Sequence, residues 1–577
     1  MSKLYGLWTV FHNYKRQQLR KLSPRLGLVI RPDNQTRHSQ HSGTMSERIV
    51  PSPKVVPSSS PEENDLDPES SFLLSSYSQL RHHLSPAISS FNNSPSSTPL
   101  TISPSPSTLT SLYQFLSQQT LPDAPLGQSQ TTSHLLNQIL PALNHQSLSP
   151  NYYAFVTGSV VPIAQFADNL VSAIDQNVQV HLPLHHSAST TIEDSALRML
   201  LDLLNFTPQQ FPGRTFTTGA TASNVIGLAC GREHVINSKL TDGKSVASLG
   251  LLRACLEAGI RDVQILTSLG HSSLSKAASI VGIGHENVRD IGRRDQKEEW
   301  RLDLDVLEQK LQEGEEEETA SIIVISAGEV NTGRFATGLL DMPKIRSLAD
   351  RYGAWVHVDG AFGLFARALP KTDEFLELHA GVAGLELADS IGVDGHKMLN
   401  VPYDNGIFLC RNASVLTQVF SNPNAAYLSS GNNDPNGILS PLNIGLENSR
   451  RFRALPVYAV LLSEGREGMA AMFSRMVQLA RRIAADIRDS EHYEWLPSKD
   501  APPESTFTIV LFRAKDEALN EVLVERINAS GKMYVSGTSW DGKKAVRLAV
   551  STWRVDVERD AELVQKVLVS IAEDRDS

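Results

Sequence analysis

The chain is 577 residues long, beyond the size at which one hydrophobic core keeps growing, so two or more domains are expected. Its hydrophobic share of 41% and charged share of 20% are those of an ordinary globular protein. No uncharged apolar run is long enough for a transmembrane helix, so no membrane partner is expected. A net charge of −10 disfavours nucleic acid as a partner, and three scattered cysteines (Cys230, Cys255, Cys410) provide neither a disulfide framework nor a metal site and fit a reducing compartment.

Up to Arg31 the chain carries seven Lys or Arg, with no acid before Asp33. That is the charge balance of a mitochondrial transit peptide, but Pro24 and Pro32 interrupt a weakly amphipathic pattern, and a cytoplasmic location is expected instead. From Met45 to Ser107, serine and proline dominate, as in Pro57-Ser58-Ser59-Ser60-Pro61. So little apolar surface does not offset the entropy of ordering, and residues 1–107 are read as a disordered tail. A helical segment over 108–160 follows.

Over residues 161–455, helical patterns at Ile163 to Asp175 and Thr191 to Leu204 alternate with short β-branched runs. Ser321 to Ser326 and Ala354 to Val358 read as buried strands, with an amphipathic helix between them from Met342 to Arg351. Strand, helix, strand at this spacing predicts an α/β large domain with a mostly parallel, helix-covered sheet. Glu315 to Glu318 reads as a solvated loop. Residues 456–577 predict a small α+β domain, with a long helix from Val457 to Arg488 and strands at Phe507 to Phe512 and Ala545 to Ser551.

Four segments carry chemistry. Thr217-Thr218-Gly219-Ala220-Thr221-Ala222-Ser223-Asn224 is a small, hydroxyl-rich turn opening a helix, whose free N–H groups and dipole suit a phosphate. His271 stands between a strand, Val263 to Thr267, and a helix, where an imidazole can stack on a planar ring. Asp359, in His357-Val358-Asp359-Gly360-Ala361, ends a buried strand and precedes small residues that admit a flat ligand; a carboxylate there can keep a pyridinium nitrogen protonated. Lys397, in Asp394-Gly395-His396-Lys397, follows the β-like run Ser390 to Val393. A single lysine is nearly always a solvated surface group, but desolvation at a strand end favours a neutral amine able to attack an aldehyde.

Taken in this order, the segments resemble the group II pyridoxal-dependent amino acid decarboxylases, over roughly Leu109 to the C-terminus. The resemblance implies a fold-type I large domain, a small C-terminal domain, pyridoxal 5'-phosphate as cofactor and a homodimer whose small-molecule substrate is an amino acid. It further implies that Lys397 carries the cofactor as an imine, that His271 stacks on the ring, that Asp359 pairs with the ring nitrogen and Ala361 packs against it, and that Ala220, Thr221 and His396 lie at the phosphate. Asn331 stands where the family often has a threonine near the cofactor, a departure in this sequence. Tyr427, about thirty residues past Lys397, matches a mobile-loop tyrosine that protonates the product carbon, where aldehyde-forming members carry phenylalanine. The reaction implied is loss of carbon dioxide from an L-amino acid to give the amine, with an aromatic substrate such as tyrosine as the leading expectation. The alternatives are another carbon–carbon lyase or aldehyde synthase on the same fold, and a non-catalytic descendant. Tyr152, Tyr153 and Phe155 are expected to line the substrate side, and His181, His185 and His186 to be polar lining rather than a metal site.

Overall fold

The computed structural model describes residues 67–92, 102–181, 187–241, 243–294, 298–421, 437–498 and 501–573. The chain divides into two compact units, 1–71 and 72–577. Of the first, only 67–71 are described: Asp67 accepts hydrogen bonds from the Glu69 and Ser70 amides and so caps the helix Pro68–Asn92. This helix corrects the expectation of a tail without structure through 107. A serine- and proline-rich window average hides a capped run in which Phe72, Leu73, Tyr77 and Leu80 recur at helical spacing.

In the second unit, seven strands form one sheet. In chain order they are β1 (Gly213–Thr217), β2 (Asp262–Thr267), β3 (Val288–Asp290), β4 (Thr319–Ser326), β5 (Trp355–Asp359), β6 (Ser390–Asp394) and β7 (Gly406–Cys410). Their order across the sheet is β1-β7-β6-β5-β4-β2-β3; β7 runs antiparallel to both neighbours, and the other pairings are parallel. β5, β6 and β7 are buried along their whole length, as expected of strands covered on both faces. Register places Ser326, Asp359 and Gly392 side by side, so β4 and β5 finish at one level and β6 runs two residues further, to Asp394. Ligands of open parallel sheets bind at that carboxyl edge.

The helix Ala220–Asn237 presses unusually close to the sheet. A Cβ on Gly227 would stand 2.5 Å from the His357 ring, and one on Gly231 would stand 2.9 Å from Trp355. Both large side chains of β5 occupy space that only glycine on the facing helix leaves.

A second sheet has four antiparallel strands, ordered Tyr493–Leu496, Ile509–Ala514, Lys543–Ala549 and Ser536–Trp540. The long helix Ala454–Asp489 packs on both regions, and its backbone breaks at Gly465 (φ 60°). Gly465 can adopt this conformation without the steric cost that a side chain would bring. The acidic run is not wholly a loop, since the helix Leu304–Glu316 includes Glu315 and Glu316. No helix among the described residues is long and apolar enough to cross a membrane.

Candidate active site

β6 ends in Asp394, and a single helical turn, Gly395–Met398, then carries His396 and Lys397. The Lys397 ammonium lies 2.8 Å from Asp394 Oδ2 and 5.9 Å from the centre of the Phe362 ring. The other oxygen of Asp394 accepts from the Ala220 amide at 2.6 Å. One carboxylate thus joins the lysine to the first turn of the helix Ala220–Asn237. His396 Nδ1 is 2.9 Å from the Asn405 carbonyl, and the imidazole packs on Tyr403. Burial draws His396 below the usual histidine range, against the pull of Asp394.

The lysine turn is clamped from below. Gly158 passes so close to it that a Cβ there would overlap the His396 and Lys397 carbonyl oxygens. Asn400 is fully buried with φ 54°. Its side-chain amide donates to the carbonyls of Lys397, Met398 and Ser551 at 3.0–3.2 Å, and its oxygen accepts from the amides of Ser159 and Trp553. It therefore ties the lysine turn to both the N-terminal segment and the end of the small sheet. Asn400→Ala strands these groups and strains the backbone; a loss of about 2–4 kcal/mol is expected. Thermal melting of the cofactor-free protein checks this, and an unchanged midpoint would remove Asn400 from the clamp.

Asp359 ends β5. Its Oδ2 accepts from Asn224 Nδ2 at 2.9 Å, whereas Oδ1, among the described residues, has only the Ala361 amide at 3.3 Å. The carboxylate therefore keeps capacity for a cationic N–H. The Ala361 carbonyl in turn accepts from the Asp394 amide at 3.0 Å, which sets the Asp359 and Lys397 segments side by side. His271 caps the helix Ser272–Ile280, its Nδ1 accepting from the Ser273 amide at 3.2 Å. Partial burial lowers its pKa, and Asp359, Lys397, Arg547 and Asp394 all act on its charge. Hydrogen bonds through Ser273 and Asn224 join His271 to Asp359.

Of the sequence candidates, the structure thus gathers Lys397, His396, Asp359, Ala361, His271 and Ala220. Thr221 is exposed on the same first turn as Ala220. Asn331 bonds to Glu329 and accepts from Thr538 at 2.8 Å, in a loop that packs on the small sheet. Tyr427, His185 and His186 lie outside the described residues. His181 is buried, its Nδ1 2.7 Å from the Thr190 hydroxyl, and no metal-holding cluster occurs among the described residues. The expected aromatic lining changes: Tyr153 is fully buried with its hydroxyl on Asn151, Tyr152 stacks on Tyr534, and only Phe155 is exposed. The sequence reading passed over Asn224, His357, Asn400 and Arg547 as functional groups, because each becomes notable only through partners far away in the chain. Arg547, buried in the small sheet, donates to the Val330 carbonyl at 2.7 Å.

An amine at a strand end, a carboxylate with one lightly engaged oxygen, an imidazole beside it and a helix N-terminus of small residues fit a phosphorylated pyridine aldehyde. On this fold they define a pyridoxal-phosphate enzyme of fold-type I. The family model "Pyridoxal-dependent decarboxylase conserved domain" matches residues 111–515, and the chain belongs to that family as a pyridoxal-phosphate-dependent carboxy-lyase. It is 25% identical over 442 residues to an L-2,4-diaminobutyrate decarboxylase of Acinetobacter baumannii, covering 74% of this chain and 81% of that protein. An aromatic-L-amino-acid decarboxylase of Bacillus atrophaeus is 24% identical, covering 75% and 84%, and a phenylacetaldehyde synthase of Arabidopsis thaliana is 24% identical, covering 77% and 88%. A crystal structure of Oryza sativa TDC with PLP and tryptamine shares the fold at TM-score 0.72 and 21% identity, covering 88% of this chain and 99% of that one.

Proposed function

We propose that this carboxy-lyase removes the α-carboxylate of an aromatic L-amino acid, tyrosine being the leading candidate, and releases the amine. The observation that carries the reaction is the convergence of Lys397, Asp359 and His271: Asn224 and Ser273 join Asp359 to His271 by hydrogen bonds, and Asp394, which pairs with Lys397, bonds to Ala361 beside Asp359. Bound pyridoxal phosphate supplies an aldehyde for an amine and a cationic ring that takes up the electron pair left by carbon dioxide. Lys397 is the amine that holds the cofactor between turnovers, and Asp394 keeps its Nζ in place. Asp359 holds the proton on the ring nitrogen through its less engaged oxygen. His271 and Ala361 would hold the ring, and Ala220, Thr221 and His396 would hold the phosphate end.

Support for an aromatic substrate comes from the exposed Phe155. Its amide is pinned by Ser536 at 3.0 Å, and the Ser536 hydroxyl is 3.5 Å from Arg547, the guanidinium that acts on His271. Relatives named as aromatic amino acid decarboxylases support it as well. In the homodimer we expect, Tyr427 of one subunit returns the proton to the product carbon in the other. Tyr427→Phe should then divert product from amine towards aldehyde and ammonia, with dioxygen consumed as the two-electron oxidant and hydrogen peroxide released; an unchanged amine yield would remove Tyr427 from the protonation step.

A panel of the twenty amino acids plus 2,4-diaminobutyrate, with products followed by mass, tests the substrate. Amine from aromatic acids alone is the expected result. Amine from diaminobutyrate or acidic substrates alone would overturn the substrate class. Aldehyde in place of amine would make the chain a synthase. Bound cofactor with no product at all would make it a non-catalytic descendant.

A further inference from the structure

Behind the groups that face the cofactor lies a chain of buried hydrogen bonds whose direction can be worked out donor by donor. Asn224 is the branch point: its amide contacts Asp359 Oδ2 at 2.9 Å, Ser273 Oγ at 3.2 Å and His357 Nε2 at 3.0 Å. A carboxylate only accepts, so the Asn224 atom on Asp359 is the NH₂ group and its oxygen faces His357. His357 Nε2 must then carry the proton. His357 Nδ1, left as the acceptor, takes the Ser390 hydroxyl proton at 2.8 Å, and Trp355 Nε1 donates to that same hydroxyl at 3.0 Å. On the other branch, Ser273 Oγ accepts from Asn224 and passes its own proton to His271 Nδ1 at 2.8 Å. His271 therefore holds its proton on Nε2.

Asn224, His357 and Ser390 are fully buried, and the His357 ring fills the space left by Gly227. Burial lowers the His357 pKa to about 4, with Asp359 pulling the other way, so the ring stays neutral, as the bond directions require.

We infer that Asn224 and His357 are positioning residues of the cofactor site: a single amide orients both Asp359 and His271, and the His357 N–H fixes which way that amide points. Were Asn224 to turn over, its oxygen would face the Asp359 carboxylate, and both cofactor-facing groups would lose their alignment. The inference rests on the assignment of Asp359 to the ring nitrogen.

The test uses full-length holoenzyme loaded with pyridoxal phosphate carrying ¹⁵N in its ring, because the ring-nitrogen shift reports protonation directly. Wild type should show a protonated ring. His357→Leu removes the N–H and should move the shift towards the neutral form, lower kcat about 10–100-fold, the scale seen when supporting ligands are lost, and leave KM nearly unchanged. His357→Gln keeps a donor on the same side and should restore most of both. Ser390→Ala, a minimal change that guards against a His357→Leu chain that does not fold, should act in the same direction with smaller size. Folded His357→Leu or Ser390→Ala protein with wild-type shift and kcat would overturn the inference, as would a Gln variant as impaired as Leu. Asp359→Asn separates the two readings. If it leaves the shift unaltered, the assignment of Asp359 itself fails; if it moves the shift while the His357 and Ser390 variants do not, only the positioning network fails.

Discussion

Lys397→Ala protein is expected to bind pyridoxal phosphate without the visible absorption band of the wild type and to lose amine production by a factor on the order of 10³ or more, the scale on which removing a covalent nucleophile acts. The structure gives the reason. The Lys397 Nζ is the amine held at the end of β6, and Asp394, 2.8 Å away, fixes where it points. The fold should survive the change. Lys397 is partly exposed, and Asp394 keeps its bond to the Ala220 amide when the ammonium is gone. Melting of the cofactor-free variant within a few degrees of wild type, together with a missing visible band, is the result expected. A coloured, active Lys397→Ala enzyme would refute the pyridoxal reading of the site.

Asp359→Asn should be the second most damaging change. On the proposed assignment of Asp359 to the ring nitrogen, an amide in place of the carboxylate would remove the charge that keeps that nitrogen protonated, and with it the electron sink. It also places an amide against the NH₂ of Asn224, where Oδ2 now accepts at 2.9 Å. Removing one preorganised electrostatic partner costs about 2.7–4 kcal/mol of transition-state stabilisation, or roughly 10²–10³ in kcat. Single-turnover kinetics with the best substrate of the panel measure this. A fall in kcat with little change in KM is expected. A variant that loses only substrate affinity would place Asp359 on the substrate rather than on the ring.

Much of the site was legible in the sequence because it is built from short segments at the ends of elements. Lys397, His396 and Asp394 share one turn, Ala220 and Thr221 another, and Asp359 and Ala361 a third. Local patterning also placed several helices and strands: the expected Met342 to Arg351 helix is Asp341–Tyr352, and the expected Ser321 to Ser326 strand is Thr319–Ser326. The misses have a common cause. The helix Pro68–Asn92 was lost in a window average, and the break at Gly465 was invisible in an unbroken helical period.

What the sequence determined by itself is the cofactor class, through the family resemblance carried by an amine, a carboxylate, an imidazole and a small-residue turn in a fixed order. The tertiary structure alone decided how these groups are held. Asn224 and His357 are 133 positions apart, and Asn400 reaches across 151 to Ser551, so no local pattern betrays either contact. Side-chain hydrogen bonds depend on ångström-scale approach, which the register of β5 against β6 and the close seating of a glycine-bearing helix on the sheet bring about. A residue's type can suggest a role, but its partner exists only once the sheet has closed.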